Sequence, residues 1–212
     1  MQPQVQRSYY FTEKYLGLHR FISYYYQARA IMRSGASSVL FIGVGDSMIV
    51  ELLKKDGHYS VTSLDIDPAL SPDVVGDIKA LPFEDDSFDL ICAFEVLEHL
   101  PFEDSRKALG EIARVAKKGA VISVPHRRSG FEFVMKFPFM RSLIQHDYLR
   151  LALLFPVRFK GFEDSGQHYW EIDGYTTSLK TFRNALKAHF SIEREETPIL
   201  DSYHRFFTLK KS

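Results

Sequence analysis

Apolar positions recur along this chain with two different periods. Residues 17–33, "GLHRFISYYYQARAIMR", place Leu18, Phe21, Ile22, Tyr25, Ala28 and Met32 at three- and four-residue steps, the spacing of one helix face. "VLFIGVGDSMIVELL" then runs an unbroken apolar stretch, Val39–Ile42, into two glycines and an amphipathic segment. That order predicts a buried strand, a tight turn at Gly43 and Gly45, and a helix with Met48, Leu52 and Leu53 on its inner face. "GHYSVTSLDIDP", bounded by Gly57 and Pro68, reads as a second strand, "DVVGD" as a short third, and Phe88–Ala93 as a fourth. "DSRKALGEIARVAKKG" is patterned as a helix with Ala108, Ile112 and Val115 inward and Gly119 at its end, and "AVISVP" as a fifth strand stopped by Pro125. Strands alternating with helices imply an α/β fold, a parallel sheet covered on both faces.

After Pro125 the rhythm breaks. Residues 127–160 are rich in Phe, Leu, Arg and Lys without a clear strand pattern, so a helical, aromatic insert after the fifth strand is expected. A helix at about 177–189 restores the pattern, followed by "FSIEREETPIL" and "YHRFFTLKK". The short link between those two runs favours an antiparallel pair, so the sheet should close on a hairpin. The chain is read as one domain, 1–212, with a helical cap at 1–36 and a substrate-covering insert at 127–176.

Charge and composition narrow the function. Lys+Arg and Asp+Glu both number 27, so no global field draws the chain to nucleic acid, and no nucleic-acid partner is expected. Cys92 is the sole cysteine and lies in an apolar run, which excludes an internal disulfide and suits a reducing cytoplasm. "MQPQVQRSYYF" lacks a signal-peptide pattern, and no apolar run reaches the ~18 residues of a spanning helix.

The glycine turn limits the ligand. A dinucleotide site would carry a third glycine where Met48 stands, a P-loop would end in Gly-Lys-Ser/Thr, and Asp46 would repel phosphate. A ligand without phosphates fits better. Asp65 ends the second strand twenty residues past Gly45, the offset at which a carboxylate accepts ribose hydroxyls; it or Asp67 could instead cap a turn in "DIDP". Asp77 ends the third strand, where a carboxylate could accept an adenine amino proton beside the Ile78 N–H, or simply close a turn. Ligands of open α/β sheets gather at such strand ends.

Together "VLFIGVGDS…VTSLDIDP…DVVGDIKALPFEDDSFDLICAFEVLEHLP…ALGEIARVAKKGAVISVP" resembles class I S-adenosylmethionine-dependent methyltransferases of the type 11 group, over residues 39–125. The resemblance implies a Rossmann-like seven-stranded sheet of order 3-2-1-4-5-7-6, with strand seven antiparallel. It implies S-adenosyl-L-methionine as cofactor. Gly43 and Gly45 would then lie under its methionine half, Asp65 on the ribose, Ile66 on the adenine face, and Asp77 and Ile78 on the adenine edge. Phe94 and Glu95 would flank the methionine amino end and the transferring methyl. Where the family often has a third glycine this chain has Ser47, expected to cap the helix.

Methyl transfer from a sulfonium is an in-line displacement, which chiefly needs positioning and, for a hydroxyl acceptor, a base. No metal is required. His126 after strand five and His168 in "SGQHYWEIDGY" are the candidate bases, with Glu95 as a further one; His99 in "LEHL" reads equally as a structural residue. An Asn/Asp-Pro-Pro-aromatic run, usual for amide and adenine-amino acceptors, is replaced by "CAFEVLEHL". The expected reaction is therefore O-methylation of a small-molecule acceptor, a glycan precursor or a lipid-like or quinone-like compound. A cofactor-binding protein without turnover is the competing reading. In the insert, Arg127, Arg128, Lys136, Arg141, Arg150, Arg158 and Lys160 outnumber Glu132 and Asp147, which suits a lid over the substrate or a peripheral membrane contact through 127–160.

Overall fold

The computed structural model of the chain describes residues 7–144, 148–156, 168–174 and 176–212. Seven strands form the main sheet: β1 (Ser38–Ile42), β2 (Ser60–Asp65), β3 (Val74–Val75), β4 (Phe88–Phe94), β5 (Ala116–Pro125), β8 (Phe190–Glu196) and β9 (His204–Lys211). Their order is β3-β2-β1-β4-β5-β9-β8. β1 pairs parallel with β2 and β4, and β4 with β5, whereas β9 runs antiparallel to both β5 and β8. Counted without the insert's strands, this is the order 3-2-1-4-5-7-6 with its seventh strand reversed.

Each central strand is buried on both sides, and its side chains alternate between two cores. Leu40 and Ile42 of β1, Ile91 and Ala93 of β4, and Ile122 of β5 join a cluster with Ile112 of α3 (Phe102–Val115) and Phe182 and Leu186 of α5 (Leu179–Lys187). Val39 and Phe41, Leu90 and Cys92, and Val121 join a second cluster with Ile31 of α1 (Leu18–Arg33) and Leu53 of α2 (Met48–Asp56). Continuous apolar strands with period-two partition are what helices on both faces of a sheet require.

Three local expectations about helices are corrected. The inner face of α1 is Tyr24, Tyr26, Ala30 and Ile31, with Ser23 and Gln27 buried beside them, while Leu18 and Tyr25 are 67% and 59% exposed. Apolar residues occupy both stripes of this helix, so the phase is set by its docking partner. The Tyr26 ring lies 5.8 Å from Phe206, and its hydroxyl accepts from Ile199 N at 3.1 Å. In α2 the buried face is likewise Ile49, Val50 and Leu53, with Met48 and Leu52 exposed. Gly119 does not end a helix: α3 stops at Val115, and Gly119 sits within β5, where a Cβ would come 2.0 Å from the Leu209 carbonyl oxygen of β9.

Among its described residues the insert is built chiefly as a ribbon, where a helical, aromatic segment was expected. β6 (Arg128–Met135) pairs antiparallel with β7 (Leu149–Pro156) as a separate two-stranded sheet, with the five-residue α4 (Met140–Ile144) between them. Phe131 faces Leu153, Phe133 faces Leu151 and Met135 faces Leu149, so one side of the ribbon is almost wholly apolar, and these six side chains are all exposed. The other side carries the Arg150–Glu132 ion pair at 2.7 Å. Arg150 also donates to the Thr197 and Pro198 carbonyls at 2.7 and 3.0 Å, and Glu132 Oε1 accepts from Leu200 N, holding the ribbon to the β8–β9 connection. Arg158, Lys160 and Asp147 lie outside the described residues.

Candidate active site

The C-terminal ends of β1, β2, β3 and β4 surround a cavity of about 370 Å³. The turn after β1 forms its floor. Gly43 and Gly45 have φ of +85° and +55°, the left-handed region that favours glycine. A Cβ on Gly43 would reach to 2.5 Å from Val96 Cγ2. Gly43 N donates to the Leu64 carbonyl at 2.9 Å, and Val44 N to Asp65 Oδ2 at 2.7 Å, so the turn is braced on the end of β2. Asp65 Oδ1 accepts from Asp67 N at 2.9 Å. A carboxylate has about four acceptor lone pairs, so these two bonds leave Asp65 able to accept hydroxyls as well.

The neighbouring positions divide their work. Asp77 Oδ1 accepts from Lys79 N at 2.9 Å, closing the turn after β3, and both Asp77 and the buried Ile78 line the cavity. Ile66 and Phe94 line it too, the Phe94 ring packing 5.5 Å from Phe41. Ser47 stands before α2 at φ +62° and its side chain caps nothing; Asp46 Oδ1 accepts from Met48 N instead. The left-handed backbone there explains why glycine suits that position and why Ser47 cannot act as the expected cap. Tyr24 donates its hydroxyl to Asp46. Over Gly45 stand Tyr10 and Tyr15, packed edge to face at 5.1 Å. The cavity's aromatic cover thus comes from the N-terminal segment, and of the insert's described residues only His168 reaches the lining.

Glu95 marks the far end. Its φ is +55°, an uncommon value for a residue with a Cβ, at the turn leaving β4. Ser123 Oγ donates to Glu95 Oε1 at 2.6 Å, and His204 Nε2 lies 3.2 Å from Oε2. His204 Nδ1 in turn meets Asp201 Oδ2 at 2.5 Å. Burial works against ionising Glu95, but the His204 charge outweighs it and holds the carboxyl low; burial likewise disfavours protonated His204, but Glu95 and Asp201 hold its pKa raised. His204 is therefore an imidazolium clamped between two carboxylates. Sequence reading missed it: the expected strand order sets the strand of His204 beside β5, but not which of its side chains meets Glu95.

The two candidate histidines separate. His126 is fully buried and is not among the residues lining the cavity. Its Nε2 meets Asp173 Oδ2 at 2.9 Å and its Nδ1 faces Arg205 Nη1 at 3.3 Å, a pairing that requires the neutral ring with the proton on Nε2. Burial, aided by the Arg205 and Arg128 charges, pushes its pKa down to about 4. The sequence reading expected His126 at the acceptor, but it stands behind the lining residues and ties the end of β5 to the following loop.

His168 lines the cavity, its Nδ1 at 3.1 Å from Glu171 Oε1 and its ring edge-on to His99 at 5.0 Å. Trp170 anchors this loop: it is buried, and its Nε1 donates to the Leu100 carbonyl and Ser105 Oγ, both at 3.1 Å. Tyr169 N donates to the Glu98 carbonyl at 2.8 Å, drawing His168 alongside "LEHL". Tyr203, whose hydroxyl donates to Glu171 Oε1 at 2.5 Å, completes this wall.

A doubly wound sheet with a reversed last strand, a glycine turn after β1 and acids ending β2 and β3 define a class I methyltransferase fold. Residues 40–124 match the sequence model of the methyltransferase domain family. Over those residues, which span β1 to β5, the chain is similar to that family. Among curated proteins it is 31% identical over 126 residues to a 2-methyl-6-phytyl-1,4-hydroquinone methyltransferase from Synechocystis, an alignment covering 51% of this chain and 39% of that protein. The chain thus spans well under half the length of that relative. Among solved structures, the N-methyltransferase NodS from Bradyrhizobium japonicum, in complex with S-adenosylhomocysteine, is 14% identical with a TM-score of 0.61 over 95% of this chain and 94% of NodS. The magnesium protoporphyrin IX methyltransferase of Synechocystis is 16% identical with a TM-score of 0.59, over all of this chain and 90% of that one. At such identities these structures establish the fold alone.

Proposed function

We propose that this protein methylates an oxygen of a ring-bearing, lipid-like small molecule seated where the cavity meets His99, His168 and Tyr203. The observation that carries the reading is the continuity of a single cavity from the Gly43–Asp65–Asp77 strand ends to that polar wall. Several features fit S-adenosylmethionine. The glycine turn leaves room over it, Asp46 excludes phosphate, and Asp65 and Asp77 stand where hydroxyl and amino donors need acceptors. Arg20 and Glu95, both lining the cavity, offer one charge of each sign to an amino-acid zwitterion. When bound, that cofactor supplies an electrophilic methyl on a sulfonium.

The chain's own contribution is positioning and proton handling. Phe94 and Val96 wall the acceptor's approach, and Tyr10 and Tyr15 limit water above the turn. Glu95, already held by Ser123 and His204, acts as a fixed charge and not as a base. His168, oriented by Glu171, is the imidazole at the acceptor end. The hydroquinone named for the curated relative, with its phytyl chain, is the type of acceptor this arrangement suits.

The exposed apolar face of the β6–β7 ribbon supports the lipid-like half of the reading. Phe131 and Phe133 sit beside the basic tip residues Lys136 and Arg141, the pairing of apolar and cationic groups that adsorbs to anionic bilayers. No helix among the described residues is long and apolar enough to cross a membrane. The ribbon would rest on the surface and the cavity would draw its acceptor from there.

The test is calorimetry with S-adenosylhomocysteine, followed by product mass spectrometry with hydroquinone, phenol, carboxylate and amine acceptors. Saturable cofactor binding and an O-methylated hydroquinone are expected. Methylation of amines alone would refute the acceptor assignment, and failure to bind S-adenosylhomocysteine would refute the enzyme. For the ribbon, co-sedimentation with phosphatidylserine vesicles should fall sharply in Phe131→Asp/Phe133→Asp; equal sedimentation of that variant would remove the membrane role.

A further inference from the structure

Glu98 stands out among the buried polar groups. Its side chain has no exposed area, and neither Oε1 nor Oε2 accepts a hydrogen bond from a donor among the described residues. An ionisable group buried without partners costs several kcal/mol, by order of magnitude. His204 is already paired with Glu95 and Asp201, and Arg127 with Glu171 at 3.2 Å. Beside this carboxylate lie His99 and His168, and one ligand atom from each of the three residues falls within 4.8 Å of the others.

We propose that Glu98, His99 and His168 bind one divalent transition-metal cation at the acceptor end of the cavity. Two imidazoles and a carboxylate are a donor set for zinc, manganese, iron or cobalt, not for calcium or magnesium. Metal–ligand bonds of ~2.0–2.2 Å place neighbouring donors ~3–3.5 Å apart, so side-chain rotations of about an ångström close the set. The segments that carry the donors are already joined, through the Tyr169 N to Glu98 carbonyl bond and the Trp170 anchor. Glu171, bonded to His168 Nδ1, occupies the outer position that orients a ligating imidazole. His99 and His168 line the cavity, so a cation here faces the acceptor, with coordination positions open beyond its three protein ligands.

A cation at this place explains why the wall is built from acids and imidazoles. It neutralises Glu98 and holds the acceptor oxygen as a Lewis acid, lowering the pKa of its hydroxyl. The O–H bond would break with its proton released to water, the oxygen's electron pair would form the bond to the methyl carbon, and the C–S bond would break with its pair left on the sulfur, so that S-adenosylhomocysteine leaves. This role, though not the site itself, rests on the oxygen-acceptor reading above.

The experiment uses the full chain, stripped with a chelator and dialysed. Zinc, manganese and cobalt chlorides are titrated by calorimetry, cobalt also by its visible absorption, and melting temperature is followed with and without each metal. One equivalent of at least one cation should bind saturably and raise the melting temperature, as any ligand of the native state does. Glu98→Gln and His168→Ala should each weaken binding ten-fold or more and abolish that rise. His58→Ala, at an exposed histidine, should leave both unchanged. Folding of the variants is checked by their affinity for S-adenosylhomocysteine. The proposal is overturned if none of the three metals binds saturably, or if Glu98→Gln and His168→Ala bind as tightly as the parent. Metal binding without methylation of any oxygen acceptor would sustain the site and refute the acceptor assignment instead.

Discussion

His126 offers a quantitative test of how its site is read, because its burial and its partners fix one protonation state. Arg205 donates toward Nδ1 and Asp173 accepts from Nε2, so protonating the ring would place a second N–H against a guanidinium inside the protein. The folded pKa is about 4, against an ordinary value of 6.5. A histidine whose pKa falls on folding favours the native state fully above 6.5, and that advantage disappears as the pH drops from 6.5 through 4. One pKa unit corresponds to ~1.36 kcal/mol, so the full effect is on the order of 3 kcal/mol. Between pH 7 and pH 5 the loss is about 2 kcal/mol by the same linkage. With a urea m-value of ~1–3 kcal/mol/M, the midpoint should fall by roughly 1 M over that range. His204, with its raised pKa, runs the other way: its contribution is complete below the unfolded pKa and lost as pH rises. Comparing the parent with His126→Gln cancels that term. The parent should lose about 2 kcal/mol more than the variant between pH 7 and pH 5, whatever the variant's absolute stability. Identical pH slopes in the two proteins would refute the buried, neutral assignment.

Asp65→Ala should weaken S-adenosylhomocysteine binding ten-fold or more, since a hydrogen bond to a charged acceptor contributes ~1.5–3 kcal/mol; unchanged affinity in a folded variant would sink the ribose assignment. Gly119→Ala should strongly destabilise the β5–β9 pair, because its Cβ would meet a backbone oxygen at 2.0 Å, and a normal thermal melt would contradict that packing. Gly110→Ala, within α3 and with its nearest neighbour His189 Cε1 at 3.7 Å, should instead add ~0.5–1 kcal/mol through helix propensity, and a drop in melting temperature would be the refuting result.

The cofactor end of the site is legible in the sequence because its logic is local. A strand, two glycines and a helix lie within 39–53, and Asp65 and Asp77 each end a strand within a short run. Backbone conformation at Gly43 and Gly45, and the place of an acid at a strand end, depend on neighbours in the chain. The strand order follows from the resemblance over 39–125, and the closing hairpin from the short link between β8 and β9.

Other features depend on contacts between distant segments. The buried stripes of α1 and α2 were open to choice, since each helix carries apolar residues on more than one face, and the sheet selected Tyr26, Ile31 and Leu53. Gly119 resembles a helix stop until β9 is laid against it. Phe131, Phe133 and Met135, like Leu149, Leu151 and Leu153, alternate along the chain, but only the β6–β7 register brings the two sets onto one face.

The acceptor end shows the division most clearly. Composition could name histidines, but not which ones face the cavity. His126 stands next to β5 in sequence yet is sealed behind Asp173 and Arg205, while His168 is carried into the cavity by the burial of Trp170. Glu95 meets His204, 109 positions later, only because β9 inserts beside β5. The sequence alone determined the glycine turn after β1 and the acids that end β2 and β3, since those rest on backbone geometry a few residues long. Only the tertiary structure decided which acids and imidazoles share the far wall, because charge pairing, burial and donor geometry act through space and leave no period along the chain.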